Sequence, residues 1–221
     1  MITQFSDRME AGRLLAQRLA HYANRADALV LALPRGGLPI AFELAQRLSL
    51  PLDIIGVRKL GVPGYEELAF GAIASGGVRI LDQEIIDSFC LSPQLVEQIA
   101  AAEQHELDRR ESVFRSGASL LPLRDRAVIL VDDGIATGST MFSAIEAVRR
   151  MGAARVVVAA GVAPESTARE LASRADEVVC LLTPRDFRAV SLFYASFPQL
   201  TDDDVRGLLQ RARQKSPQHA E

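Results

Sequence analysis

The sequence VILVDDGIATGST, from Val128 to Thr140, is typical of a buried strand that passes through a short loop into a helix. Four apolar residues lead to Asp132 and Asp133, and glycine, threonine and serine follow. The backbone amides from about Ala136 to Thr140 are predicted to lie at the N-terminus of the following helix, where unpaired N–H groups and the helix dipole attract anions. This stretch therefore predicts a phosphate-binding loop.

The two adjacent carboxylates need a different partner, because they would repel a phosphate. They can accept hydrogen bonds from sugar hydroxyls, or hold the hydrated cation of a metal–diphosphate. Capping of the next helix is the plain structural alternative, but it accounts for one aspartate and not for two in a row. The stretch thus predicts a ligand with a phosphate at one end and vicinal hydroxyls in its middle. No Walker lysine, GxGxxG or GxSxG occurs.

Apolar segments alternate with helical patterns through most of the chain, which predicts an α/β fold with a doubly wound, mostly parallel sheet. Residues 60–68 are predicted to form a loop, and residues 70–81 a hairpin that turns at Gly76-Gly77. The predicted strands are 28–33, 53–59, 127–131, 155–160 and 177–182. The predicted helices are 7–22, 38–48, 92–115, one from after Gly138 to Arg150, one from Ser166 and one capped by Thr201.

In such sheets ligands bind at the carboxyl ends of the strands. The first predicted strand is followed by PRGG at 34–37, the second ends on Arg58 and Lys59, and the third enters the loop after Asp133. We therefore expect three loops on one rim, one with carboxylates and two with cations. The alternatives are an ordinary turn arginine at Arg35 and an exposed basic pair at 58–59.

The composition of the chain argues against several classes of function. The chain has 221 residues, a net charge of −3, 48% hydrophobic and 24% charged residues, which predicts one globular domain. No basic excess exists to neutralise a nucleic-acid backbone. Cys90 and Cys180 lack a CxxC partner, so a thiolate metal site is not expected. With no apolar run of membrane-spanning length and no apolar core near Met1, we expect a cytoplasmic protein without a membrane partner.

The quoted stretch resembles the signature of the type I phosphoribosyltransferase family: an apolar strand, two acids, two variable residues, then Ala/Asp-Thr-Gly-x-Thr. PRGG at 34–37 resembles that family's diphosphate loop, and VRK at 57–59 the start of its mobile catalytic loop. The resemblance covers residues 27–183 in order. It implies the type I fold in a single domain over 1–221. In that domain the core is 25–183, the chain ends 1–24 and 184–212 form a small hood, and 213–221 are a disordered tail.

The resemblance implies a Mg²⁺-dependent transfer from 5-phosphoribosyl 1-diphosphate to a nitrogen acceptor, usually a nucleobase, in a homodimer. Asp132 and Asp133 would engage the ribose hydroxyls and hold Mg²⁺ through water, while Arg35 and Lys59 complete the catalytic set. The remaining substrate-binding residues that it implies are Gly36 and Gly37 at the diphosphate, Arg58 beside Lys59, and Gly134, Ala136, Thr137, Gly138, Ser139 and Thr140 around the 5′-phosphate. It also implies a strained or cis peptide within 34–37 and a mobile segment at 61–64.

The acceptor is left open by the sequence. Enzymes for 6-oxopurines usually carry an aspartate where this chain has Ala136, which argues against hypoxanthine or guanine. Aromatic residues near the C-terminus could stack on a base, although packing is the favoured alternative; they are Phe187, Phe193, Tyr194 and Phe197. Two other functions stay open: a regulator that senses phosphoribosyl diphosphate or a nucleotide, and a protein that binds another phosphosugar. The retained Arg58 and Lys59 favour the enzyme.

Overall fold

The computed structural model describes residues 3–215, except for the side chains of residues 66, 67 and 215. Its strands are β1 (Ala28–Ala32), β2 (Leu52–Ile54), β3 (Val57–Val62), β4 (Tyr65–Ala74), β5 (Val78–Leu81), β6 (Ala127–Gly134), β7 (Arg155–Val162) and β8 (Glu177–Leu182). Its α-helices are α1 (Arg8–Arg18), α2 (Gly37–Leu48), α3 (Gln83–Ser88), α4 (Pro93–Arg115), α5 (Ser139–Arg150), α6 (Glu165–Arg174) and α7 (Asp202–Lys215).

The central sheet contains five parallel strands in the order β2-β1-β6-β7-β8. Alternate residues of each inner strand face opposite sides, so Val30 packs with α1, α2 and α7 while Leu31 packs with α5 and α6. Every residue of β1 is buried, which explains its continuous apolar sequence. The predicted doubly wound parallel sheet is confirmed.

A second, antiparallel sheet joins β3, β4 and β5 and packs on α4 through residues such as Phe70 and Leu107. The hairpin predicted at 70–81 is confirmed, with positive φ at Gly76 and Gly77. The loop predicted at 60–68 is wrong, because β3 and β4 continue through it and turn at Pro63-Gly64. The short helix α3 was not predicted.

The strand predicted at 53–59 is two strands that belong to different sheets. The chain leaves the parallel sheet after Ile54 and passes Gly56, whose N–H donates to Ser75 Oγ at 2.7 Å. A Cβ at Gly56 would lie 2.4 Å from Leu107 Cδ1, so α4 lies directly against this crossing. Arg58 and Lys59 therefore belong to the antiparallel sheet and not to the carboxyl end of a parallel strand.

The predicted helix starts are confirmed by their caps. Asp7 accepts from the Glu10 amide at 2.8 Å, Ser92 from the Leu95 amide at 3.2 Å, and Thr201 from the Asp204 amide at 3.1 Å. The helix predicted from Ser166 begins one residue earlier, at Glu165.

The two chain ends meet on one side of the parallel sheet. Phe5 and Tyr194 form an isolated parallel bridge, and the Phe5 N–H donates to Phe193 O at 2.8 Å. Residues 213–215, predicted to belong to a disordered tail, are the last turn of α7, and 216–221 lie outside the described residues. No helix within residues 3–215 is long and apolar enough to cross a membrane.

Candidate functional site

Asp132 and Asp133 immediately precede the last residue of β6, which extends to Gly134 and not only to the predicted residue 131. Asp132 lies in register with Ala160 of β7, so neighbouring strands fix its position. Successive strand residues face opposite sides of a sheet, and Asp133 points towards the chain ends. Asp133 is only 8% exposed, whereas Asp132 is half-buried.

The carboxylate of Asp133 is held by an arginine that the sequence analysis missed. Arg8 Nε donates to Asp133 Oδ2 at 2.8 Å, and Arg8 itself is buried. The guanidinium lies 3.7 Å from the ring centroid of Phe197 and donates through Nη1 to Pro198 O at 2.8 Å. Arg8 thus joins the first helix, the aromatic segment and the end of β6 at one point.

Burial raises the pKa of Asp132 well above its usual range, and the neighbouring charge of Asp133 raises it further. Burial also raises the pKa of Asp133, while the hydrogen bond and charge of Arg8 oppose that rise. The Asp132 carboxylate accepts the Asp133 N–H at 2.8 Å. Because both carboxylates are partly desolvated, they favour a ligand that donates hydrogen bonds or carries positive charge.

The glycines of PRGG pack directly on the end of β6. A Cβ at Gly36 would lie 2.2 Å from Asp133 Oδ2, and one at Gly37 would lie 2.4 Å from Val131 O. The close approach that these glycines permit is therefore an approach to β6, which brings the PRGG loop against the carboxylates. The Pro34–Arg35 peptide is cis, which confirms the expected unusual peptide in this loop.

Arg35 projects from this loop to the rim of the site. Its Nη1 donates to Leu200 O at 2.8 Å, and its Nε lies 3.2 Å from Asp202 Oδ1. The side chain is 44% exposed and borders two cavities. The first cavity, of about 440 Å³, is also lined by Arg8, Asp133 and residues 197–200. The second, of about 100 Å³, lies against α4.

The loop after β6 has the geometry of an anion site. Gly138 has a φ of +84° and caps α5 without a side-chain hydrogen bond. Within residues 3–215, none of the amides from Ala136 to Thr140 donates to a backbone or side-chain acceptor. Thr137 and Thr140 are exposed, and Thr137 Oγ1 lies 3.2 Å from Ser139 Oγ. The first turn of α5 is consequently free to receive an anion.

The ends of this loop are fixed by packing. Thr167 Oγ1 of α6 donates to Ala136 O at 2.7 Å, and Ala136 itself is exposed. A Cβ at Gly134 would lie 2.5 Å from Val190 Cγ1, so the segment after β8 lies directly over Gly134. The loop can therefore present its amides without rearranging.

Arg58 and Lys59 of the second sheet line two different cavities, each of which also touches the start of α5. Arg58 is ion-paired with Glu103 of α4 and lines the 100 Å³ cleft with Thr140. Lys59 is exposed and lines a cavity of about 780 Å³ with Ser139. The expectation that all three loops end strands of one sheet is wrong. Arg58 shares a cavity with Arg35 and Thr140, and Lys59 shares a different one with Ser139.

The aromatic segment packs mainly on itself and on the N-terminal region. Phe187 stacks on Phe193 with ring centroids 5.8 Å apart. The ring centroid of Tyr194 lies 5.2 Å from that of Phe5 and 5.1 Å from that of Phe197. Tyr194 Oη donates to Asp133 O at 2.6 Å. Phe197 also borders the 440 Å³ cavity.

The chain is similar to known proteins over nearly its whole length. A family model described as a phosphoribosyl transferase domain matches residues 2–195. Two curated Mycobacterium tuberculosis proteins, each named "Putative phosphoribosyl transferase" (MT0597 and Rv0571c), are 47% identical over 208 residues. That alignment covers 94% of this chain and 47% of each relative, so the chain spans about half the length of these curated relatives.

A solved structure, TT1426 from Thermus thermophilus, is 41% identical to the chain and superposes with a TM-score of 0.83. The superposition covers 94% of this chain and 98% of TT1426. The two proteins share one fold over nearly their whole lengths.

The packing of PRGG on β6 is tested by Gly36→Ala. We expect a loss of about 1–3 kcal/mol in the free energy of unfolding, because the added methyl group collides with a carboxylate that Arg8 holds in place. Urea titration of the wild type and the variant measures this loss.

Gly207→Ala in α7 is the matched control, since a Cβ there meets nothing within 4 Å. It should leave stability unchanged or raise it by about 0.5–1 kcal/mol, because alanine is the better helix former. Equal effects of the two substitutions would contradict the described contact between PRGG and Asp133.

Proposed function

The chain belongs to the phosphoribosyl transferase family, and from this premise we propose that it transfers a 5-phosphoribosyl group from 5-phosphoribosyl 1-diphosphate to a nitrogen acceptor, with Mg²⁺ and with release of diphosphate. The observation that carries this proposal is the open N-terminus of α5, a few residues after the half-buried Asp132 and the buried Asp133. Few ligands need both an anion site and hydroxyl acceptors so close together.

The 5′-phosphate would bind the amides from Ala136 to Thr140. The hydroxyls of Thr137, Ser139 and Thr140 add donors, and the dipole of α5 favours the negative charge. Asp132 and Asp133 would accept hydrogen bonds from the ribose 2′- and 3′-hydroxyls. Because carboxylates repel phosphate, the same two features fix the direction in which the sugar phosphate lies.

The diphosphate would lie beyond C1′ of the ribose, on the side where the cations converge. Arg35 would contact it through its guanidinium, and Gly36 and Gly37 lie in the loop beside it. On β3, Arg58 lines the cleft that Arg35 also lines, while Lys59 lines a separate cavity beside Ser139. Guanidinium groups match phosphate geometry through paired donors, which suits a group that gains negative charge as it leaves.

Asp132 and Asp133 would hold Mg²⁺ through water. Mg²⁺ usually keeps several of its waters and is held by only one or two carboxylates, which this pair can provide. Bound Mg²⁺ would neutralise charge on the diphosphate oxygens. The contribution of the chain is to keep two carboxylates desolvated and in place, and the raised pKa of each favours a ligand that compensates their charge.

In the transfer step, the acceptor nitrogen forms a bond to C1′ while the bond between C1′ and the diphosphate oxygen breaks, and the proton that the nitrogen carried is lost to water or to the departing diphosphate. The electron pair of the broken bond leaves with the diphosphate. The protein would act mainly by positioning and by fixed charges, with cations at the leaving group and carboxylates near the ribose.

The acceptor would enter the 440 Å³ cavity between the chain ends and Asp133. That cavity is bounded by Arg8, Arg35, Val190 and Phe197, and Arg35 also borders the α4 cleft. Its size suits a small nitrogen compound such as a nucleobase. Ala136 leaves this proposal without the aspartate expected for a 6-oxopurine.

Two observations favour the alternative of a regulator that senses phosphoribosyl diphosphate or a nucleotide. Arg58 is ion-paired with Glu103, and Asp133 is ion-paired with Arg8, so two proposed site residues already have protein partners. A measurement of turnover distinguishes the enzyme from the regulator. A test of donor specificity would distinguish a protein that binds another phosphosugar.

We also propose that the protein is a cytoplasmic homodimer without a nucleic-acid partner. Sedimentation would test the dimer, and titration with duplex DNA would test nucleic-acid binding.

Donor binding is tested by the double substitution Asp132→Asn and Asp133→Asn. We expect the affinity for phosphoribosyl diphosphate with Mg²⁺ to fall by about 100-fold or more, because two charged acceptors and the cation partner are lost together. Calorimetric titration measures the affinity, and circular dichroism checks the fold. The control is Asp186→Asn with Asp203→Asn, two carboxylates with 82% exposed side chains. Unchanged affinity in the site variant would refute the role of these carboxylates.

Turnover is tested by following diphosphate release from phosphoribosyl diphosphate across a panel of nitrogen acceptors with Mg²⁺. The enzyme proposal predicts release that depends on one acceptor class and is lost in the Asp132/Asp133 variant. Tight donor binding with no release for any acceptor would instead support the sensing protein.

A further inference from the structure

The 100 Å³ cleft beside Arg35 brings a third arginine to the predicted site. It lies between the carboxyl edge of the parallel sheet and α4, and all three predicted loops contribute to it. The guanidinium-bearing residues that line it are Arg35, Arg58 and Arg110. Arg110 belongs to α4 and was not among the predicted site residues.

The positive charge of this cleft is not balanced from within. Among the described residues that line it, the only carboxylate is Glu111, which lies 2.7 Å from Arg115 Nη1 and also accepts from Ser75 Oγ. Arg115 in turn contacts the buried Asp53 at 3.0 Å, so Glu111 belongs to a structural network. Three arginines that line one small cleft bring like charges near one another, and an anion would offset their repulsion.

Each of the three arginines has a carboxylate partner outside the lining of the cleft. Arg110 Nε lies 2.6 Å from Glu106 Oε1, Arg58 pairs with Glu103, and Arg35 pairs with Asp202. Half of the Arg110 side chain is exposed. Ion pairs as exposed as those of Arg35 and Arg110 contribute only about 0–1 kcal/mol, so a multiply charged phosphate can replace them favourably, whereas the Arg58 pair is part-buried.

We propose that Arg110 is a further diphosphate-binding residue, so that α4 supplies a third guanidinium to the diphosphate subsite. This inference rests on the proposed function and deepens it. Arg110 contacts the oxygens of the leaving group, and it stabilises the negative charge that they gain when the C1′–O bond breaks. This role of Arg110 requires no proton transfer, and the electron pair of the broken bond stays on the diphosphate.

The neighbouring residue provides a matched control. Arg109 pairs with the same Glu106, at 2.8 Å, and its side chain is 59% exposed, but it does not line the cleft. Arg109→Gln and Arg110→Gln therefore remove the same charge and an ion pair to the same acid from the same helix. They differ in whether a guanidinium is taken from the cleft.

The experiment is calorimetric titration of the wild type and both variants with inorganic diphosphate plus Mg²⁺, and separately with ribose 5-phosphate. We expect Arg110→Gln to weaken diphosphate binding by about tenfold or more, as for loss of a charge-assisted hydrogen bond, and to leave ribose 5-phosphate binding unchanged. Arg109→Gln should change neither affinity by more than about twofold.

Equal diphosphate affinities in the two variants would overturn the inference while leaving the proposed function intact. An equal loss of ribose 5-phosphate and diphosphate binding in Arg110→Gln would also overturn it, since Arg110 would then act on the whole site. A wild type that binds neither diphosphate nor phosphoribosyl diphosphate would overturn both the inference and the proposed function.

Discussion

The site depends on the ion pair between Arg8 of α1 and Asp133 at the end of β6. A buried carboxylate without a partner costs several kcal/mol, and breaking such a pair by removing one member typically costs about 3–5 kcal/mol. Arg8 therefore allows a second acid to stand beside Asp132 in a dry place. Gly36 lies against the same carboxylate, and Phe197 lies on the same guanidinium. The first helix, the PRGG loop and the C-terminal segment therefore meet at this ion pair.

The strand–loop–helix unit of β6 and α5 keeps negative carboxylates apart from the partial positive charge of a helix N-terminus. The carboxylates occupy the end of β6, and the unpaired amides of the α5 N-terminus lie a few residues further on. An asymmetric ligand is oriented by that separation, because its phosphate is repelled by the acids while its hydroxyls are attracted to them. The cations of β3, of PRGG and of α4 then define where a second anionic group can lie. Most of the proposed chemistry follows from this fixed arrangement of charges.

The sequence predicted what is local and missed what is distant. The β6–α5 unit and the caps of α1, α4 and α7 are encoded within a few residues, and the structure confirms them. Arg8 contacts an aspartate 125 positions away, and no local pattern marks it. Arg110 lies in a charged helix, where only the packing of α4 distinguishes it from Arg109.

The errors at 53–68 have a physical cause as well. Gly56 and Pro63-Gly64 were interpreted as features of one strand and a loop, whereas they are a crossing between sheets and a hairpin turn. Glycine and proline mark both kinds of feature, so composition alone could not separate them. The crossing is set by Leu107 of α4, which is about fifty residues further along the chain.

A crystal structure with ribose 5-phosphate and Mg²⁺ bound would test the proposed site most directly. We expect phosphate oxygens about 2.7–3.2 Å from the amides between Ala136 and Thr140, with the ribose hydroxyls on the carboxylates of Asp132 and Asp133. A phosphate bound instead in the arginine cleft of α4, with the ribose turned away from both aspartates, would contradict it.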